Sequence, residues 1–199
     1  MELPKDEVIV KIMKKRCGWT KDDELMNKYH DIEWGVPLHD DTKLFEFMVL
    51  DAFQAGLSWH IVLKKREGFK KAFDNFNIDK ISKYSDVKIS KLMNDAGIIR
   101  NKLKILATVQ NAIAFKKIKK EYGSFDKYIW QFVKGKPIVN KWKSLSNIPS
   151  SSKESDAMSL DLKKRGFKFV GTTICYAFMQ ASGMVNDHLV TCFRYKDLT

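Results

Sequence analysis

The sequence predicts an all-α fold, on three observations. Apolar residues recur at the three-to-four-residue spacing of a helix face. Acids and serines open those apolar runs and glycines close them, as helix caps do. No stretch alternates apolar and polar residues long enough to argue for a sheet, and no fixed-period repeat is present. With 199 residues, 44% hydrophobic and including 13 Phe and 5 Trp, the chain can bury a substantial core. That size suits one domain, or two helical lobes around a shared cleft.

The elements follow in order. Residues 1–16 read as an N-terminal extension of mixed charge, and 17–199 as a single helical domain. Cys17-Gly18-Trp19 leads into a helix that starts at Asp22 or Asp23, carries Leu25, Met26 and Tyr29, and reaches His30. Residues 31–37 form a loop with an exposed tryptophan, Trp34. Asp40 or Asp41 caps the next helix, with Leu44, Phe45, Met48, Ala52 and Phe53 on its apolar face. It stops at Gly56, and Ser58 starts another helix with Trp59, Ile61, Val62 and Leu63. Short helices are expected near 67–74, 79–84 and 86–94, and a long one over 100–120. Asp95-Ala96-Gly97-Ile98-Ile99 reads as a hairpin, 125–133 as an aromatic helix, and 134–152, with Pro137, Pro149 and a triple serine, as a connector. The last two helices flank a basic turn bearing glycines, Arg165-Gly166-Phe167-Lys168-Phe169-Val170-Gly171, in a helix-hairpin-helix over about 155–182. Backbone amides exposed at such glycines suit a DNA phosphate.

Charge points the same way. The formal net charge is +12 and the pI about 9.5, which favours a polyanionic partner or describes a solvated lysine-rich surface. No signal peptide is visible, and no run approaches the length of a membrane helix. Three cysteines without disulfide-like density suit a reducing cytoplasm.

Two constellations carry chemistry. Cys17 and His30 lie near one end of the chain; His188-x-x-x-Cys192, an i,i+4 pair expected on one helix face, lies near the other. Together they form a Cys2His2 set that suits a closed, structural zinc site. Alternatively, His188 packs or caps and Cys192 is a buried hydrophobe. Asn186 and Asp187 read as caps of that last helix, with Asp187 alternatively orienting a ligand. The second constellation is aromatic and acidic. Tyr29, Trp34 and Trp59 lie near loops or helix ends, as a pocket for an unstacked base requires. Asp51 is an acid inside the apolar run Phe47-Met48-Val49-Leu50-Asp51-Ala52-Phe53, and a buried carboxylate needs a partner or a purpose. Cys175 reads as an inert buried thiol, and His39 and His60 as surface or capping groups.

Several ordered stretches resemble the DNA-3-methyladenine glycosylase I family: Cys17-Gly18-Trp19, Tyr29-His30-Asp31-Ile32-Glu33-Trp34-Gly35-Val36-Pro37, Gln54-Ala55-Gly56-Leu57-Ser58-Trp59, Asp95-Ala96-Gly97-Ile98-Ile99-Arg100, and Lys164 through Tyr176. The resemblance extends in order from Cys17 to about Cys192. It implies a monomeric helix-hairpin-helix repair enzyme with a structural zinc, which hydrolyses the N-glycosidic bond of 3-methyladenine in alkylated double-stranded DNA and needs no nucleotide cofactor or membrane. By motif position, Cys17, His30, His188 and Cys192 match its zinc ligands. Tyr29, Trp34 and Trp59 match residues around the flipped base, with Trp59 as stacking platform. Gly56 and Leu57 match the loop that wedges into the duplex, while Arg165, Gly166, Lys168, Gly171 and Thr172 fall in the hairpin that grips DNA. Asn186 stands where larger relatives of the superfamily use an aspartate, and no hairpin lysine is placed for Schiff-base chemistry, so a monofunctional hydrolase is expected. Two departures stand out: Met26 replaces a tyrosine found in some members, and Asp51 replaces the glutamate that reads the base. Asp51 is therefore the expected catalytic acid, with a reach shorter by one C–C bond, about 1.5 Å. That difference can turn a direct hydrogen bond into a water-bridged one. It also defines a second reading, a damage-binding protein with weak or altered excision.

Overall fold

The computed structural model describes residues 14–199. Most of the expected extension, residues 1–13, lies outside the described residues. Residues 14–16 run against the body: the Lys15 carbonyl accepts from the Phe193 amide, and Arg16 pairs with Asp31 at 2.7 Å.

The architecture is helical, as expected. Its helices are α1 (Glu24–Ile32), α2 (Asp41–Gln54), α3 (Trp59–Lys64), α4 (Arg66–Ala72), α5 (Ile78–Ile81), α6 (Asp86–Met93), α7 (Lys102–Tyr122), α8 (Phe125–Ile129), α9 (Lys153–Lys164), α10 (Thr172–Ala181) and α11 (Phe193–Asp197). Side chains cap most of them at the start. Asp23, Asp40, Ser58, Asn77, Ser85, Asn101, Ser124 and Ser152 each accept from a backbone amide of the first turn. No helix of the described residues is long and apolar enough to cross a membrane.

Helix α2 is the axis of the packing. Residues 44–53 are buried in succession, and the helix touches α3, α7, α8 and α10. A helix apolar on all sides belongs inside. Phe45 meets Phe115 of α7 edge-on at 5.3 Å, and Phe53 meets Phe69 of α4 at 4.7 Å. α9 and α10 pack on one another across residues 165–171, and α10 lies on α2.

Two parts differ from the expectation. The connector 134–152 is not wholly irregular: β1 (Ile138–Val139) pairs in parallel with β2 (Val185–Asn186). Secondly, His188 and Cys192 do not share a helix face. After α10 the chain turns at Gly183 (φ +71), enters β2 and then a loop that carries His188, and Cys192 is the N-cap of α11. Position 183 requires glycine, because a Cβ there would lie 2.3 Å from the Val36 carbonyl carbon. The i,i+4 spacing is met by a turn instead of a helix.

Candidate functional site

A cavity of about 200 Å³ opens between α1, α2, α3 and α10. Trp19, Tyr29, Trp34 and Trp59 form its aromatic wall, with Asp51 and Gln54 from α2 and Gln180 from α10 as polar groups. Ile148, Ala177 and Ala181 complete the lining. The small alanines leave room that larger side chains would fill. Tyr29, from the last turns of α1, and Trp59, at the first position of α3, bring their rings to 5.1 Å at a tilt of 44°. Trp19 meets Trp34 edge-on at 5.1 Å. Trp34 is not the exposed loop residue expected: it is only 9% exposed, sandwiched between Trp19 and the His188 ring at 4.6 Å.

The electrostatics of α2 single out one group. Glu46 and Asp51 are both buried. Glu46 is neutralised, accepting from Arg66 Nε at 2.7 Å and Lys43 Nζ at 2.9 Å. Asp51 has no such compensation: its Oδ2 is buried with no hydrogen-bond partner. Burial alone pushes its carboxyl well above the ordinary range. The indole N–H groups of Trp19 and Trp59 are also buried and unpartnered. Of the six buried side-chain atoms without a hydrogen-bond partner among the described residues, three therefore belong to residues lining one cavity. Burial, with the nearby Asp51 adding to it, also pushes the Tyr29 phenol up.

Gln180 is oriented from behind. Its Nε2 donates to Asp187 Oδ2 at 2.8 Å. Asp187 is fully buried and also accepts from Tyr176, Asn140 and Trp142 at 2.7–2.8 Å. Neither expected role for Asp187 is seen: it neither caps a helix nor contacts His188, but ties the 134–142 segment to α10. The sequence reading missed Trp19, Gln54 and Gln180 as pocket residues. Gln54 was accessible, lying one turn beyond Asp51 on α2. For Gln180 and Asp187 no local pattern marks the role.

Behind the cavity, residues from the two ends of the described chain meet. Candidate ligand atoms of Cys17, His30, His188 and Cys192 all lie within 4.8 Å of one another, and all four residues are buried. Cys17 Sγ and His188 Nδ1 are 3.6 Å apart, Cys192 Sγ and His188 Nδ1 3.6 Å, and Cys192 Sγ and His30 Nε2 3.5 Å. The outer nitrogens are held too: His30 Nδ1 lies 2.8 Å from Asp31, and His188 Nε2 lies 3.1 Å from the Trp34 carbonyl. Such contacts fix ring orientation for a metal. Hydrogen bonding from Cys17, with His188 and His30 adding to it, holds the Cys192 thiol far below its ordinary range. Contact with Cys192 and burial push Cys17 the other way. A buried Cys2His2 group of this kind can hold a metal ion with no open position.

The hairpin 165–171 is rigidly held. Asn111 Oδ1 accepts from the Lys168 amide at 2.8 Å, and its Nδ2 donates to the Lys168 carbonyl at 3.0 Å. The Lys168 side chain is exposed. Arg165 is directed inward: its guanidinium meets Asp161 and Glu121 at 2.7 Å and the Tyr122 hydroxyl at 2.7 Å. Gly166 has φ +92, and Gly171, with an ordinary φ, is the N-cap of α10. Among the described helices of eight residues or more, α10 alone lacks a side-chain cap. The Thr172 hydroxyl is engaged by Ser155 and Asp156. Between the cavity residues Gln54 and Trp59, Gly56 takes φ +79 and Leu57 is 41% exposed.

Comparison with known proteins agrees with this geometry. The family model described as methyladenine glycosylase matches residues 19–195. DNA-3-methyladenine glycosylase 1 of Escherichia coli (strain K12) is 50% identical over 181 residues, covering 91% of this chain and 97% of its own. A crystal structure of a 3-methyladenine DNA glycosylase I superposes with a TM-score of 0.88 at 48% identity, covering 90% of this chain and 98% of its own. A structure addressing 3-methyladenine recognition by the Staphylococcus aureus glycosylase I gives 0.87 at 35% identity, covering 89% and 95%.

Proposed function

The chain belongs to the methyladenine glycosylase family, and on that premise we propose that it is a DNA glycosylase of base excision repair. It hydrolyses the N-glycosidic bond of 3-methyladenine in alkylated duplex DNA, releasing the base and leaving an abasic site. The observation that carries this reading is Asp51, a buried carboxylate with an idle Oδ2 on the wall of an aromatic cavity. Burial disfavours the charged form of that carboxyl, and a cationic base is the ligand that would restore its charge.

3-Methyladenine is cationic while joined to the sugar. Flipped from the stack, it would lie against Trp59, where ring stacking and cation–π attraction act together. Tyr29 and Trp34 enclose it, and Asp51 presents negative charge to its edge, so the charged lesion is favoured over neutral adenine. A water oxygen then bonds to C1′ while the base leaves with the electrons of the glycosidic bond. Those electrons neutralise the ring, and the water proton passes to solvent. Among the described residues no lysine lines the cavity, which supports a monofunctional hydrolase without Schiff-base chemistry.

The rest of the molecule serves delivery. The uncapped amides of α10 and the Lys168 side chain suit phosphate, which carries no sequence information. Leu57, exposed between the cavity residues Gln54 and Trp59, suits insertion at the vacated position of the base. In the Cys2His2 group the resident metal is zinc. Zinc–sulfur bonds near 2.3 Å and zinc–nitrogen bonds near 2.0–2.1 Å, at tetrahedral angles, separate S and N by about 3.5 Å, in line with the 3.5–3.6 Å found. Bound there it supplies cohesion, not chemistry, joining the start of the domain to its end. The working form is a cytoplasmic monomer with one helical domain, 17–199, following the extension 1–16. The test is chromatography of bases freed from methylated DNA. The protein should release 3-methyladenine, and Trp59→Ala should release it at least tenfold more slowly; normal release by Trp59→Ala would remove the stacking role.

A further inference from the structure

We propose that Lys104 of α7 is a positioning residue for base flipping: its ammonium holds the carbonyls beneath the Gly56-Leu57 wedge, and α7 thereby sets the distance from wedge to hairpin. The inference rests on the glycosylase reading above. Lys104 is only 6% exposed, and its Nζ donates to the Phe53 carbonyl at 2.9 Å and the Ala55 carbonyl at 2.6 Å. Burial lowers its pKa with no acid offsetting the effect. A cation buried against neutral carbonyls is costly, and what it secures is the end of α2. There Ala55 leaves helical geometry (ψ 117), and the chain turns at Gly56 into Leu57, whose amide donates back to Gln54 at 2.6 Å.

A helix cap alone would explain those two bonds. The remainder of α7 argues for more. Lys104 Nζ also lies 6.0 Å from the centre of the Phe169 ring, in the hairpin, and Phe169 holds an unfavourable φ of +55. Two turns along, Gln110 donates to the Gly166 carbonyl at 2.9 Å, and Asn111 exchanges both backbone bonds with Lys168. Seven residues of helix span about 10 Å. One rigid element thus grips both loops that face DNA, in each case through backbone atoms. Flipping requires the wedge to enter while the phosphate grip stays in place, and a fixed separation enforces that.

The test compares Lys104→Met, which keeps the apolar stem and deletes the donors, with Leu57→Ala and the double variant. Wedge entry is read from 2-aminopurine fluorescence beside an abasic analogue in duplex DNA, and excision from single-turnover release. Lys104→Met should reduce the saturated fluorescence change and slow release at least tenfold. Its affinity for free 3-methyladenine and for the duplex should stay within threefold. Added to Leu57→Ala it should slow release no further, because both act on one step. Unchanged fluorescence and release, a matching loss of free-base affinity, or multiplying effects in the double variant would each overturn the proposal. Lys104→Gln carries the same outcomes if the methionine variant does not fold. A native chain that released no base would count against the glycosylase reading, while the fluorescence arm, which needs no hydrolysis, would still decide on Lys104.

Discussion

Glu46 and Asp51 lie on one helix, both buried, and receive opposite treatment: Glu46 gets an arginine and a lysine, Asp51 gets nothing. That contrast supports the role proposed for Asp51, and it has a consequence for stability. The folded-state pKa of Asp51 is raised by burial, so between the ordinary aspartate range near 3.8 and the raised value the folded state holds a proton that the unfolded state has released. Stability therefore falls as pH rises through that window. Asp51→Asn removes the titration. It should raise the melting temperature at pH 7.5 by roughly 2–4 °C, equivalent to about 1 kcal/mol, and the gain should vanish toward pH 4 in a calorimetric pH series. A stabilised variant that excises poorly is the usual signature of a site that trades stability for activity.

At the scale of elements, the hairpin and the Cys2His2 group, a clasp between the two ends of the domain, make separable predictions. Gly166 needs φ +92 and Gly171 does not, and no atom lies within 4 Å of a Cβ placed at either. Gly166→Ala should cost about 1–2 kcal/mol from backbone strain, read as a lower urea midpoint. Gly171→Ala should leave that midpoint unchanged yet weaken DNA affinity, because only a phosphate approaching the open end of α10 would meet the new methyl. Lys168→Ala should reduce the slope of log affinity against log salt by about 1. Arg165→Ala should barely change that slope and should lower stability instead, since its guanidinium is already taken by Asp161 and Glu121. For the clasp, chelation or Cys17→Ser should release one zinc per chain by elemental analysis. Either should lower the melting temperature by roughly 5 °C or more, because metal binding contributes to folding.

For the whole molecule, the legible part was the part written in local pattern. Helix starts at Asp22 or Asp23, at Asp40 or Asp41 and at Ser58 were readable, and Asp23, Asp40 and Ser58 are the caps found, because a capping side chain is a short-range event. The pocket residues Tyr29, Asp51 and Trp59 stood out through the motifs around them, and Cys17, His30, His188 and Cys192 through their types together with the family resemblance. What escaped depends on contacts remote in sequence. Trp34 is covered by Trp19 and His188, Arg165 is drawn in by Glu121, and Asp187 gathers Asn140, Trp142, Tyr176 and Gln180. The expected helix through His188 and Cys192 is replaced by a strand paired with residues 138–139 and a loop, a long-range pairing that no local spacing encodes. The fold brings Cys17 and His30 to His188 and Cys192 behind the cavity and, among the described residues, leaves one carboxylate without a partner inside it. Single-turnover release of 3-methyladenine from methylated duplex, native beside Asp51→Asn, addresses that carboxylate directly. Release slowed at least tenfold in the variant, about 1.4 kcal/mol of barrier, with duplex affinity retained, is the predicted result; equal rates would contradict the role of Asp51.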